Sequence, residues 1–181
     1  DAGPTAPPTR MKMRKGERDV APGFLTLIEP KEPAIEPLPN STGRRTALAR
    51  WITRPDNPLT SRVIVNRIWQ HHFGRGLAGT PNDFGRLGEK PTHPELLDWL
   101  AGRLVAGGWR LKALHREILL SSTYRQTARV EPSAQALNVD PANKYLWRFS
   151  PRRLDAEQVR DAMLMAAGEL DLTVGGAPQD A

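Results

Sequence analysis

Between Thr60 and Phe73 the apolar residues Ile64, Val65, Ile68, Trp69 and Phe73 recur at spacings of three and four. That period places them on one stripe of an α-helix and does not suit a strand, whose faces alternate every second residue. Gly74 follows where a left-handed C-terminal cap is expected. The same period returns in Leu96, Leu97, Leu100, Leu104 and Val105, and again in Leu111, Leu114, Ile118 and Leu119. Helices of this kind are stable when their stripes are buried against one another. The expected fold is mainly α: an irregular bundle of about five helices with a Gly-rich loop and an extended Pro-rich N-terminal lead.

The punctuation supports this division. Ser41 or Thr42 can cap a first helix over 43–52, with Leu48, Trp51 and Ile52 on one side. Pro55 ends it, and Asp56-Asn57-Pro58 reads as a turn. Thr60 can cap the second helix. From Gly74 to Pro91 the glycines at 74, 76, 79, 85 and 88 mark a long loop, a class often tied to function or mobility. Thr92-His93-Pro94-Glu95 has the capping-box form and predicts the start of a third helix, which Gly107-Gly108 ends. A fourth is predicted over 111–121. Thr127 to Val139 reads as a polar connection, and Asp140-Pro141 as the start of a short helix reaching Trp147. A last helix starts at Asp155, where Gln158 completes a capping pair, with Val159, Met163, Ala166 and Leu170 inward. Extended segments are expected at 24–28 and 148–150.

Composition bounds the rest. Of the 17 prolines, Pro4, Pro7, Pro8, Pro22, Pro30, Pro33, Pro37 and Pro39 fall in the first forty residues. Proline is excluded from helix interiors, so residues 1–40 read as a linker-like lead, 41–176 as the helical domain and 177–181 as a tail. The chain has no cysteine, which excludes disulfides, thiolate metal sites, a cysteine nucleophile and a covalent c-type haem site within it. No stretch is long and apolar enough to span a bilayer. The net charge is +6, carried by 26 lysines and arginines, and the pI is about 10.2. Such a balance suits an acidic partner, and the arginine fork suits carboxylate, phosphate or sulfate. The alternative is that the arginines pair with the 20 acids on helix surfaces.

Several constellations could carry chemistry. Arg62, Asn66, Arg67, Gln70 and His71 lie on the polar side of the second helix, where residues three and four apart share a face. They could meet an anion or a sugar. Equally, Arg62 and Arg67 could pair with Asp83 or Asp98 and pin the glycine loop. The histidines are His71, His72, His93 and His115, with no pair at the i, i+4 spacing of a helical metal site. His115 reads as a hydrogen-bonded core residue. His71, His93 and Asp83 are the combination from which a metal site could be assembled, although nothing in the spacing demands it. Asp83-Phe84-Gly85 looks like the magnesium loop of a protein kinase, but the other kinase signatures are missing. Here Asp83 is expected to cap a turn, Phe84 to plug the core, and Gly85 to supply an unusual backbone angle. A paired-carboxylate hydrolase would need two of Asp83, Glu89, Glu95 and Asp98 to face one cleft. Trp109, Tyr124, Arg125, Trp147, Arg148, Arg152 and Arg153 mix aromatics with bases and could stack on sugars or nucleobases, or seal a small core. No helix-turn-helix signature or basic recognition helix supports nucleic acid.

One tract is distinctive as a whole. It includes Ala47-Leu48-Ala49-Arg50-Trp51-Ile52, Asp56-Asn57-Pro58-Leu59-Thr60-Ser61-Arg62-Val63 and Val65-Asn66-Arg67-Ile68-Trp69-Gln70-His71-His72-Phe73-Gly74-Arg75-Gly76-Leu77. It goes on through Thr80-Pro81-Asn82-Asp83-Phe84-Gly85, His93-Pro94-Glu95-Leu96-Leu97-Asp98-Trp99-Leu100, Gly108-Trp109, Lys112-Ala113-Leu114-His115-Arg116 and Leu120-Ser121-Ser122-Thr123-Tyr124-Arg125-Gln126. Arg152-Arg153-Leu154-Asp155-Ala156-Glu157 and Gly175-Gly176 also fit. This closely resembles the planctomycete-specific domain (first type), a family of unknown function, over most of the chain.

The resemblance implies a piece of a large exported, multidomain protein with a cytochrome-c-like domain upstream. It implies an extracytoplasmic location, the other domains of the same polypeptide as partners, and haem c only in that separate domain. It also implies that the family domain continues past the double glycine. No catalytic residue comes with it. The function expected is therefore an auxiliary module that binds, with acidic polysaccharide as one ligand class, or that organises neighbouring domains. The alternatives are a glycan-acting hydrolase using Asp83, His71, His93 and Arg67, and a DNA-binding module.

Overall fold

The computed structural model describes residues 9–173 and 175. Among them lie a two-stranded antiparallel sheet, β1 (Thr9–Met13) and β2 (Gly16–Val20), and the helices α1 (Arg44–Thr53), α2 (Thr60–Phe73), α3 (Pro94–Ala106), α4 (Leu111–Leu120), α5 (Ala134–Val139) and α6 (Ala156–Ala167). The fold is mainly α, as the apolar periodicity predicts. The described residues form two units that divide between Phe149 and Ser150. The tail at 177–181 lies outside the described residues.

The core belongs to the first unit. Val65, Ile68, Trp69 and Phe73 of α2 are buried against Leu97, Leu100 and Leu104 of α3 and Leu114 and Ile118 of α4. Each fully buried leucine contributes about 1.5–3 kcal/mol. Leu77, from the loop after α2, is buried in the same cluster. Trp69 stacks on Phe73 at 4.2 Å between ring centroids, and Tyr124 and Phe149 close over Phe73 edge-on or tilted. Gly74 caps α2 with φ of 83°, its N–H donating to the Gln70 carbonyl, so α2 ends where expected.

Other local expectations are revised. The α1 stripe is not buried: Leu48 and Ile52 are exposed, and Trp51 is covered instead by Phe24, stacked at 4.9 Å. The N-cap of α1 is Gly43, and Ser41 Oγ accepts from the Gly43 N–H rather than from a helical amide. At α3 the capping box does not form. His93 occupies the N-cap with Pro94 behind it, and Thr92 Oγ1 turns to the Leu77 carbonyl and His93 Nδ1. The Thr92 N–H, which the Glu95 side chain would accept in such a box, donates instead to the Leu77 carbonyl at 2.9 Å. At α6 the Asp155–Gln158 box is present, yet its apolar stripe has no buried residue, and Met163 is 67% exposed.

The stretch 127–149 is the largest departure. The short helix lies before Asp140, over Ala134–Val139 with Ser133 Oγ as its cap. Residues 140–149 are a turn-rich loop rather than a helix. Asp140 uses both carboxylate oxygens on the Lys144 and Tyr145 N–H groups, which folds the chain back instead of propagating a helix. The lead also differs. β1 and β2 pair Arg10 with Asp19 and Lys12 with Glu17 across the register, opposite charges that stabilise facing strands. Residues 25–29 form a turn rather than an extended segment, with Ile28 and Glu29 N–H both donating to the Leu25 carbonyl.

Candidate functional site

The polar residues of α2 do not act as one surface. Arg62 and Arg67 are five positions apart, so they diverge by about 140° around the helix. Arg62 turns to α3: its Nε donates to Asp98 Oδ1 at 2.6 Å, and its Nη1 to the Pro58 carbonyl at 2.8 Å. The bond lowers the Asp98 carboxyl from its ordinary range and raises the Arg62 guanidinium. The pair therefore pins α2 to α3.

Asn66 turns inward and is fully buried. Its Nδ2 donates to the Ala78 carbonyl at 3.0 Å, and its Oδ1 accepts from the Ala78 N–H at 2.8 Å. One side chain thus completes the hydrogen bonding of a loop residue that is itself buried. Gly76 makes this possible, since a Cβ there would stand 2.6 Å from Asn66 Nδ2. Gln70 is half-buried, its carbonyl taken by the α2 cap, and His71 is exposed. His72, the neighbour, faces His115 with ring nitrogens 2.8 Å apart, which gives His115 the hydrogen bond expected of it.

Arg67 faces the glycine loop, where its Nη2 donates to Asn82 Oδ1 at 2.6 Å. Asp83 Oδ1 accepts from the Gly85 N–H at 2.8 Å, so Asp83 caps the turn as expected. Phe84 packs on the core. Gly85 is not among the glycines with positive φ in the described residues; the tight position is Gly88, where a Cβ would collide with the Asp83 carbonyl. Arg75 and Glu89 pair across the same loop. His93 is elsewhere, at the start of α3 against Tyr145 with ring centroids 5.8 Å apart. Among the described residues no three His, Cys, Asp or Glu side chains form a group that could hold a metal ion.

What the structure assembles around Arg67 and Asp83 is a groove of about 590 Å³. It is lined by Leu25, Leu27 and Ile28 of the lead, by Leu59 just before α2, by Val63 and Arg67 of α2, and by Pro81 to Gly85 of the glycine loop. Leu27 is 97% exposed and Leu25 57%. The rim carries one cation, one anion and one amide: Arg67, Asp83 and Asn82. Of the residues singled out on the sequence, Arg67 and Asp83 meet here, while Arg62, Asn66 and His93 serve other contacts. The apolar residues of the groove escape a search for polar chemistry. A signal did exist, because Leu59 at the N-cap of α2, Val63 and Arg67 recur every four residues and share a second face of that helix. The contribution of Leu25, Leu27 and Ile28 depends on how the lead folds back, which no local pattern encodes.

Residues 44–181 match the family model described as PSD1, protein of unknown function (DUF1553), a span of more than half of the chain. No curated protein and no solved structure matches.

Proposed function

The chain belongs to the PSD1 family of unknown function (DUF1553), and from that premise we propose that it is a non-catalytic binding module that organises neighbouring domains of its own polypeptide by docking an extended apolar segment in the groove beside α2. The groove itself carries the reading. Its walls hold leucines that the fold leaves uncovered, at a scale typical of ligand sites. Its rim suits the neutral, alternating donors and acceptors of a peptide backbone better than a polyanion.

The state of the arginines supports the same choice. Arg62 and Arg75 have carboxylate partners, and Arg67 holds Asn82. An acidic polysaccharide would have to compete with those bonds. Asp83, the carboxylate a hydrolase would use, already accepts from the Gly85 N–H.

The test is selection of random peptides displayed on phage, followed by NMR titration of the best binder. The expected result is a peptide rich in apolar residues that perturbs Val63 and Phe84 and loses about tenfold or more in affinity with Leu27→Glu. Leu27 is exposed, so that variant should keep the melting temperature. Binding of a sulfated oligosaccharide that falls steeply with salt and ignores Leu27→Glu would move the ligand to the arginines and overturn the reading. Turnover of a polysaccharide that disappears in Asp83→Asn would replace it with a hydrolase.

A further inference from the structure

A second site lies away from the groove, where residues 140–149 fold back on α5. Two residues other than glycine in this loop hold positive φ, Asn143 at 53° and Leu146 at 58°. A side-chain-bearing residue in that region is sterically disfavoured, and more so for leucine than for asparagine. The conformation is held by a dense set of bonds. Asn143 is buried, its Nδ2 donating to the Arg148 carbonyl and its Oδ1 accepting from the Arg148 N–H. Gln126 Nε2 donates to the Leu146 carbonyl at 3.1 Å. Asp140 accepts from two loop amides through its carboxylate and from Trp147 Nε1 through its carbonyl.

The product of this arrangement is a pocket of about 340 Å³ lined by Tyr145, Trp147, Gln135, Val139 and Asp140, with Ser133 and Ala136. The Trp147 N–H is already spent on the Asp140 carbonyl, and the Arg148 guanidinium lies over one face of the indole at 5.0 Å, so the ring has one face left for the pocket. Tyr145 is 58% exposed, its ring steadied by an edge contact with His93. Neither the Tyr145 hydroxyl nor the Gln135 amide has a hydrogen-bond partner among the described residues. The Asp140 carboxylate is satisfied on both oxygens and so is not set up for acid–base work.

We propose that this pocket binds an uncharged sugar ring of a glycan, with the faces of Tyr145 and Trp147 against the apolar side of the ring and the Tyr145 hydroxyl and Gln135 amide on its hydroxyl groups. Aromatic rings with polar tips suit such a ligand, whose ring has an apolar side and a rim of hydroxyl groups, and the surface of the pocket itself is almost wholly apolar. The volume admits a monosaccharide or disaccharide unit. The pocket has no unpaired carboxylate for chemistry on the bond between sugars, so the site holds and does not cleave. It shares no lining residue with the groove beside α2, and neither proposal depends on the other.

The experiment is calorimetric titration of the intact chain with cellohexaose, mannohexaose, xylohexaose and, as the charged control, a heparin-derived hexasaccharide. The expected result is binding of at least one neutral oligosaccharide, insensitive to salt. Tyr145→Ala and Gln135→Ala should each weaken it about tenfold with an unchanged melting temperature, and Tyr145→Phe should retain the ring contribution alone. Trp147→Ala is avoided as the primary variant because it also breaks the bond to Asp140. No binding of any neutral probe at about 10 mM overturns the proposal. So does binding confined to the heparin fragment, or binding that survives both Tyr145→Ala and Gln135→Ala.

Discussion

At the scale of single residues, Asn66 shows how a polar side chain buried beside the apolar stripe of an amphipathic helix can be structural. It takes both hydrogen-bonding groups of Ala78, which is itself 1% exposed. Asn66→Ala would leave that amide and carbonyl buried and unpaired, at a cost of about 3 kcal/mol. Urea unfolding measures it, and a loss below about 1 kcal/mol would mean that water replaces the side chain. The sequence placed Asn66 with Arg62 and Arg67 because helix spacing reports which residues are neighbours. It does not report where a following loop will cross. Asp83 was more legible, since its bond to the Gly85 N–H spans only two residues and follows from turn chemistry.

At the scale of elements, α2 is held to α3 both by the core and by the Arg62–Asp98 bond at its solvent edge. Arg62 keeps the Asp98 carboxyl below its ordinary range. A carboxylate depressed in the folded state adds stability above its unfolded pKa, and that stability is lost as pH falls through the folded value. The pair is well exposed to solvent, so its contribution is at most about 1 kcal/mol. Asp98→Asn should therefore destabilise the chain slightly near neutral pH, and the deficit should narrow below about pH 4. Denaturant midpoints measured across that range decide it; a deficit independent of pH would show that packing, and not the ion pair, is at stake. Helix existence was legible at this scale because apolar periodicity is local. Caps were less so: the α6 box formed between residues three apart as read, whereas at α3 the Thr92 N–H is taken by the Leu77 carbonyl.

At the scale of the whole molecule, the buried core lies between Val65 and Ile118, inside the unit that ends at Phe149. A chain stopped at Phe149 is expected to melt in a single cooperative transition, read by near-ultraviolet circular dichroism at the core tryptophan Trp69. A broad, non-cooperative melt would show that residues beyond Phe149 are needed to complete that core. The second unit presents α6 with its apolar residues exposed, including Met163 and Met165. The sequence marked that stripe as inward because amphipathic spacing predicts a face to be covered, and nothing in the spacing names what covers it.

The sequence by itself determined that this chain is mainly helical, where α2 ends, which faces of α2, α3 and α4 are apolar, and that it carries the pattern of one family. These follow from interactions between residues a few positions apart. Only the tertiary structure decided that the lead returns against α2 to make a groove, that Asn66 serves a loop, and that 140–149 presents two aromatic rings instead of a helix. Those outcomes rest on contacts between distant segments, whose geometry is settled when buried polar groups and apolar surfaces are satisfied together.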